Sequence, residues 1–258
     1  LTEGVTPTGK EMNVTKIEAT VKQYGDFIEL SDLLILTAID NNIVEATTLI
    51  GSQAGRTLDT ISREVLAAGT NVQYAEGQVT SRAALTPEMK LTVKAVKKAV
   101  RFLKKQNAKK INGYYYGIVH PDCSYDLTED ARWIDAVKYK NPERIYNGEI
   151  GEIEGARFVE TTEAKIWAKA GAAKSTSDTT KIDVYGTLIF GANAYATTKI
   201  EGGGLKTIIK QLGSAGTGDP LDQRATVGWK ALKVTEILTE AYMIRIETAS
   251  TFSDGEAN

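Results

Sequence analysis

One histidine, one cysteine and a short run of carboxylates are the groups in this chain that could do covalent or acid–base chemistry. His120, Cys123 and Ser124 fall close together, and Asp126, Glu129, Asp130 and Asp135 follow. A nucleophile needs a base within reach and a third group to orient that base. With a single His in 258 residues, only His120 could be the base of a Ser-His-Asp or Cys-His arrangement. Neither Ser124 nor Cys123 sits in a recognisable nucleophile motif. His120 lies between the apolar run of residues 114–119 and Pro121, so it reads as a hydrogen-bonding histidine at a strand end. A Cys/His zinc site takes three or four ligands, and only two such residues exist. The acids do not follow the spacing of a calcium loop and read as helix caps and a solvated face. No catalytic residue, metal or cofactor is expected.

Two glycine clusters and one basic run are the remaining candidates. Gly202-Gly203-Gly204-Leu205-Lys206-Thr207 ends in Lys-Thr but lacks the phosphate-loop spacing and leads into a strand-like segment. Gly213-Ser214-Ala215-Gly216-Thr217-Gly218 misses the dinucleotide pattern, so both clusters read as loops. Gly51 and Gly55, four apart on a helix, would admit a crossing strand or a neighbouring subunit. The strongest charge signal is Lys94, Lys97, Lys98, Arg101, Lys104, Lys105, Lys109 and Lys110, with no acid between them. Such a run is a solvated face, or a surface for a polyanion or an acidic neighbouring subunit. Only Phe102 interleaves as an aromatic, which argues against base-specific reading.

Composition narrows the classes. Hydrophobic residues are 42%, charged residues 25% and the net charge is -2, the balance of an ordinary globular protein. Neither a globally basic nucleic-acid binder nor an acidic tail fits. One cysteine excludes an intrachain disulfide. The longest aliphatic run, Leu33-Leu34-Ile35-Leu36, is far short of a membrane span, and the first residues lack the pattern of a signal peptide. The 30 threonines favour extended structure.

The elements that must carry these residues follow from periodicity. Thr6-Pro7-Thr8-Gly9 is a turn, and the alternation of Ile17, Ala19 and Val21 with polar neighbours predicts a strand, so residues 1–30 read as a projecting hairpin. Ser31-Asp32 offers a helix cap. From Ile43 through Ala46, Leu49, Ile50, Ala54, Leu58, Ile61 and Val65 to Leu66, one apolar stripe predicts a helix of residues 41–68. Residues 72–85 read as a loop or short strand. A second helix, capped by Thr86 or Thr92, runs to about Gln106 with Val93, Val96, Val100 and Leu103 buried. A strand at 114–119 precedes a short helix capped by Asp126 or Thr128 and running through Trp133 and Val137. Further strands are expected at 156–160, 182–190, 205–210, 225–233 and 242–248, with an exposed loop over 168–181. Helices and strands do not alternate regularly, so the fold class is α+β.

Several segments, taken together, carry a family resemblance. They are residues 1–7 (LTEGVTP), 21–26 (VKQYGD), 67–74 (AAGTNVQY), 118–122 (IVHPD), 146–151 (YNGEIG), 155–162 (GARFVETT), 219–224 (DPLDQR) and 227–230 (VGWK). The chain resembles the major capsid proteins of tailed bacteriophages, in the podophage and prophage branch, which have the Hong Kong 97-type fold. The resemblance spans nearly the whole chain.

It implies an extended hairpin loop and entry strand over residues 1–30, and a long spine helix with peripheral-domain region over 31–110. Residues 111–204 would be mainly axial domain, and 205–258 would return strands to the peripheral domain. It further implies hexamers and pentamers of this chain forming an icosahedral shell around double-stranded DNA, held through nonspecific contacts. A portal and decoration proteins would be partners, and the shell would be assembled in the bacterial host cytoplasm as part of the virion. The subunit-contact candidates are Pro7, Thr8, Gly9 and Lys10 at the hairpin tip. The DNA- or subunit-facing candidates are Lys94, Lys97, Lys98, Arg101, Lys104 and Lys105. In the family's type member an extended-loop lysine is joined covalently to a neighbour's asparagine. Lys10 is the nearest counterpart, but no carboxylate or asparagine is placed for it and no crosslink is expected. The chain opens on Leu1 without an initiator Met, so an N-terminal arm is expected to have been removed or to be disordered. The alternatives are an encapsulin-like nanocompartment holding protein, an enzyme built on His120, and a nonspecific DNA-binding module built on the lysine-rich helix.

Overall fold

A computed structural model describes residues 16–37, 41–134, 151–198, 200–214 and 216–253, with isolated positions outside these ranges. Its elements pack into two units that share one long helix.

The first unit is a three-stranded antiparallel sheet under a helix. Strand β1 (Lys22–Ser31) leads into the short helix α1 (Asp32–Thr37) and then α2 (Asn42–Ala67). Ser31 Oγ accepts the Leu34 N–H at 3.3 Å, the cap anticipated from its residue type. At 26 residues, α2 is roughly 39 Å long at 1.5 Å per residue. Its N-terminal half lies on the sheet, with Ala46, Ile50 and Ala54 buried against Leu30, Ala225, Val227, Trp229 and Ala231. Leu49, placed by periodicity on the buried stripe, is instead 59% exposed. It stands beside Ile50, which turns to the sheet, and the 100° step between neighbours carries it off that face.

The strand alternation anticipated over Ile17, Ala19 and Val21 does not become a strand. The paired ladder begins at Lys22, opposite Lys233, where its partner strand ends, so the preceding backbone has no ladder to join.

The second unit is a seven-stranded mixed sheet. In chain order its strands are β2 (Val72–Tyr74), β3 (Tyr115–Val119), β4 (Glu152–Ile153), β5 (Ala156–Glu160), β6 (Ile166–Trp167) and β7 (Val184–Phe190). The last is a C-terminal strand, Met243–Thr248. Between β2 and β3 runs helix α3 (Val93–Lys105), and after β3 comes α4 (Pro121–Thr128). Next along the chain are β8 (Tyr195–Thr197), β9 (Lys206–Lys210), β10 (Arg224–Lys233) and β11 (Thr235–Ile237), which makes the C-terminal strand β12. The three-stranded sheet has the order β1-β10-β9, and β8 pairs with β11. The large sheet has the order β2-β12-β7-β3-β5-β4, with β6 also on β7.

Period-two alternation divides the large sheet's faces. Tyr115, Val119, Tyr185, Ile189, Ile244 and Ile246 pack with Val96, Ala99, Val100 and Leu103 of α3. On the opposite face Leu188, Phe190 and Met243 meet Leu66 near the end of α2. Thus α2 serves both units. The stretch 31–110 contributes α2 to both and α3 to the large sheet; 205–258 contributes β9 and β10 to the small sheet and β12 to the large one.

The short helix starts earlier than its sequence suggested. His120 is the N-cap of α4, with Pro121 at the first helical position, where a missing N–H costs nothing. Helical turns resume over residues 131–134 behind Asp130; Val137 lies outside the described residues. The loop over 168–181 is exposed from Ala173 onward and closed by a bridge between Ala173 and Lys181.

Candidate functional site

The basic run folds as α3, and its charges are set by helix period. Lys94, Lys97, Lys98, Arg101, Lys104 and Lys105 recur at three- and four-residue steps and share the exposed face, while Val93, Val96, Val100 and Leu103 are buried beneath. Thr92 caps the helix, its Oγ1 accepting the Ala95 N–H at 3.1 Å. The lysines and arginine near the C-terminus also suit the negative end of the helix dipole.

The fold supplies acids that the run itself lacks. Lys94 pairs with Glu76 at 2.5 Å and Lys97 with Glu154 at 3.2 Å. Lys98 Nζ donates to the Glu76 carbonyl at 2.9 Å. The hydrogen bond from Lys94, with help from the Thr92 hydroxyl, holds the Glu76 carboxyl below the usual glutamate range. Arg101, Lys104 and Lys105 make no ion pair among the described residues. The positive surface is therefore concentrated toward the C-terminal half of α3.

Beside this half lies a groove of about 490 Å³. Its wall is β2, at the edge of the large sheet, and Phe102 and Ile244 also line it. Lys98, Arg101 and Lys105 are its cations, and among the described residues no acid lines it.

Of the hairpin-tip residues, Pro7, Thr8 and Lys10 lie outside the described residues. Gly9 is exposed, and a Cβ there would have no neighbour within 4 Å. Gly51 and Gly55 likewise have open space above them, so among the described residues no strand crosses them there. Of the residues singled out for chemistry, Asp135 lies outside the described residues; His120, Cys123, Ser124, Asp126 and Asp130 make structural contacts. His120 Nδ1 accepts the Asp122 N–H at 3.2 Å and lies 3.4 Å from an Asp122 carboxylate oxygen. Cys123 is fully buried, 3.7 Å from the Thr248 hydroxyl, and burial pushes its thiol far above the ordinary range. Ser124 Oγ lies 2.9 Å from the Pro121 carbonyl and 3.0 Å from a Glu160 carboxylate oxygen. Asp130 accepts the N–H of Val93 and of Arg132, each at 2.9 Å, and so caps two helices. Asp126 accepts the Thr251 N–H at 3.0 Å. Glu129 is exposed. Among the described residues no group of three or more His, Cys, Asp or Glu side chains could hold a metal ion, and no helix is long and apolar enough to cross a membrane.

The junction between the two units was not anticipated. Arg245 of β12 donates from Nη1 to the carbonyls of Ala67 and Gly69 at the end of α2, the latter at 2.9 Å. Its Nε donates to Glu247 at 2.8 Å, and Arg82 binds both oxygens of the same buried carboxylate at 2.7 and 2.8 Å. Arg82 also stacks 3.8 Å over the ring of Trp167.

A long helix on a small sheet, joined to a larger mixed sheet with helices on its face, is the architecture of the Hong Kong 97-type shell proteins. The capsid of Ralstonia phage GP4 superposes with a TM-score of 0.68 at 13% identity, over 92% of this chain and 76% of that one. The capsid of cyanophage P-SCSP1u gives 0.65 at 14%, over 96% and 82%. The SrpI encapsulin of Synechococcus elongatus PCC 7942 gives 0.53 at 9%, over 92% and 77%. Among curated proteins nothing matches. The family model described as phage capsid protein matches residues 40–212, well over half of the chain. The chain belongs to that family, a tailed-phage capsid protein of the Hong Kong 97-type fold. Its members are structural proteins and not enzymes.

Proposed function

We propose that this chain is the tile of an icosahedral phage head, assembling in the bacterial cytoplasm as hexamers and pentamers and enclosing double-stranded DNA in the virion. The observation that carries this reading is the match of the phage capsid family over residues 40–212. Supporting it, the wider fold agreement reaches beyond that stretch at both ends.

In this reading residues 1–30 are the extended loop and entry strand, 31–110 the spine helix with the peripheral-domain region, 111–204 mainly the axial domain, and 205–258 return strands to the peripheral domain. Pro7, Thr8, Gly9 and Lys10, at the tip of the extended loop, lie on a neighbouring subunit. Contacts between different faces of identical subunits close into rings when the rotation between them closes. The positive face carried by Lys94, Lys97, Lys98, Arg101, Lys104 and Lys105 meets a negative partner in the built shell, either packaged phosphates or a neighbouring subunit. A portal and decoration proteins complete the particle.

One second reading has an observation behind it: an encapsulin shares the fold, so the shell would hold protein instead. The family match favours the phage head. Sedimentation of the purified chain, followed by assay of the pellet for nuclease-protected DNA and for other proteins, tests both. Fast-sedimenting particles with protected DNA support the head, and particles holding a second protein support the compartment. A chain that stays monomeric under assembly conditions contradicts both.

A further inference from the structure

We infer that residues 16–21 of one copy add a fourth strand to the three-stranded sheet of a neighbouring copy, along the outer edge of β9. The inference rests on the shell reading and names one contact by which neighbours join. The donor is a strand by its sequence that has no ladder in its own chain. Ile17, Ala19 and Val21 alternate with Lys16, Glu18 and Thr20; all six are exposed, and none belongs to a helix or strand. Lys16 and Glu18 pair with each other, as side chains two positions apart on one side of an extended backbone do. On the other side Ile17 is 48% and Val21 36% exposed. The segment thus presents an apolar row together with main-chain donors and acceptors that another strand can satisfy.

The acceptor is β9. Among the described residues it pairs only with β10, and its five residues are all exposed. Ile208 and Ile209, on opposite faces, are 39% and 48% exposed, and Leu205 and Leu212 flank the strand. An apolar edge of this kind is a template for pairing with another chain. Thr207 and Ile209 stand level with Trp229 and Val227, on the face where α2 packs; Lys206, Ile208 and Lys210 share the other face. An added strand with Ile17, Ala19 and Val21 on the first face and Glu18 on the second continues both. It sets apolar side chains beside Ile209 and an acid beside a lysine. The lengths also match, since at about 3.3 Å per residue the donor spans about 20 Å and β9 about 17 Å. Of the other edges, β2 offers only three residues, and β1 carries Asp26 and Glu29 where β9 carries lysines.

The two cannot meet within one copy. Val21 is bonded directly to Lys22, the first residue of β1, and β10 lies between β1 and β9. The position outside β9 is therefore three strand spacings, about 14 Å, from β1, with no residue left to cover the distance. A second copy has no such constraint: its β1 runs on past its own sheet and lays the preceding six residues on the neighbour's edge. Main-chain bonds then give affinity, and the alternate side chains set register. Donor and acceptor are different surfaces, so each copy gives its segment to one neighbour and takes one from another, and the contact repeats head to tail around a ring.

Hydrogen exchange of assembled particles against the unassembled wild-type chain tests the pairing. Amides of residues 17–21 and of β9 are expected to slow together by about tenfold or more in the particle. Exchange of 17–21 as fast in particles as in the free chain overturns the inference. So does protection of β9 alone, which would mean that another protein covers the edge, and so does protection of 17–21 alone, which would place the segment elsewhere. Particles built from equal amounts of light and isotope-labelled chain are then treated with a carbodiimide, which joins a carboxylate to an amine in contact with it. Glu18 of one label linked to Lys206 or Lys210 of the other supports the pairing; Glu18 linked between copies only to other lysines contradicts it. Lys206→Glu with Lys210→Glu sets acids beside Glu18, and the assembled fraction is expected to fall about tenfold; adding Glu18→Lys to the same chain restores it. Unchanged assembly of the Lys206→Glu, Lys210→Glu chain overturns the inference; if that chain melts early, the exchange result on the wild type decides. A wild type that forms no particle refutes the shell reading itself, whereas particles with an unprotected segment refute this contact alone.

Discussion

Arg245 joins the C-terminus of α2 to the buried carboxylate of Glu247 two residues further along β12. One guanidinium satisfies the carbonyls of Ala67 and Gly69 and still donates to Glu247 at 2.8 Å. The last carbonyls of a helix lack partners within it, so Arg245 acts as a cap supplied by the other unit. The angle between the long helix and the large sheet is thereby held by charge-assisted bonds.

Removing the carboxylate leaves Arg245 buried without its anion. Glu247→Ala is expected to cost about 3–5 kcal/mol, since it breaks a buried pair from one side. Glu247→Gln keeps an acceptor and costs less. Denaturant melts of the unassembled chain measure both.

The pairing of β1 with β10 depends on the absence of a side chain at position 25. A Cβ at Gly25 would stand 2.6 Å from the Trp229 carbonyl oxygen, which is backbone and cannot swing away. Gly25→Ala is expected to destabilise by about 1–3 kcal/mol, the usual cost of overpacking. Hydrogen exchange checks its location: amides of β1 and β10 lose protection before those of β7 and β12.

Acid should loosen the loop that packs on α3. Glu76 has its carboxyl held low by Lys94, so as pH falls the unfolded chain takes up that proton first. The pair's stabilisation is full above the ordinary glutamate value of about 4.3 and disappears as pH drops through the lower folded value. Glu76→Gln removes this part of the pH dependence. Melts of wild type and variant between about pH 6 and 3 should converge at the acid end; parallel curves would contradict the pairing.

Deleting Pro7 through Lys10 separates folding from assembly. The melting temperature of the single chain is expected to stay within a degree or two, given that one kcal/mol moves a domain of this size by about 2–4 °C. Particle yield by sedimentation is expected to collapse; an unchanged yield would remove the hairpin tip from the assembly contacts.

Much of the fold was legible from local pattern. The stripe from Ile43 to Leu66 marks α2, and Thr92 with Val93, Val96, Val100 and Leu103 marks α3. The strands at 156–160, 184–190, 206–210, 224–233 and 243–248 announce themselves by run and punctuation. What was missed depends on partners distant in sequence. Strands β8 and β11 are three residues each and exist because they pair with each other. The start of α4 was hidden because histidine is not among the favoured caps, although Pro121 at its first position was a usable signal. The basic face was visible, but its partial neutralisation by Glu76 and Glu154 was not, since only the tertiary fold brings those acids to Lys94 and Lys97. The Arg82–Glu247–Arg245 junction joins residues more than a hundred positions apart and leaves no local trace.

The most direct measurement is electron cryomicroscopy of the assembled material with its nuclease-protected content assayed from the same particles. The account predicts closed icosahedral shells with hexameric and pentameric clusters and duplex DNA inside. A homogeneous monomer under assembly conditions, or closed shells filled with protein and free of DNA, would contradict it.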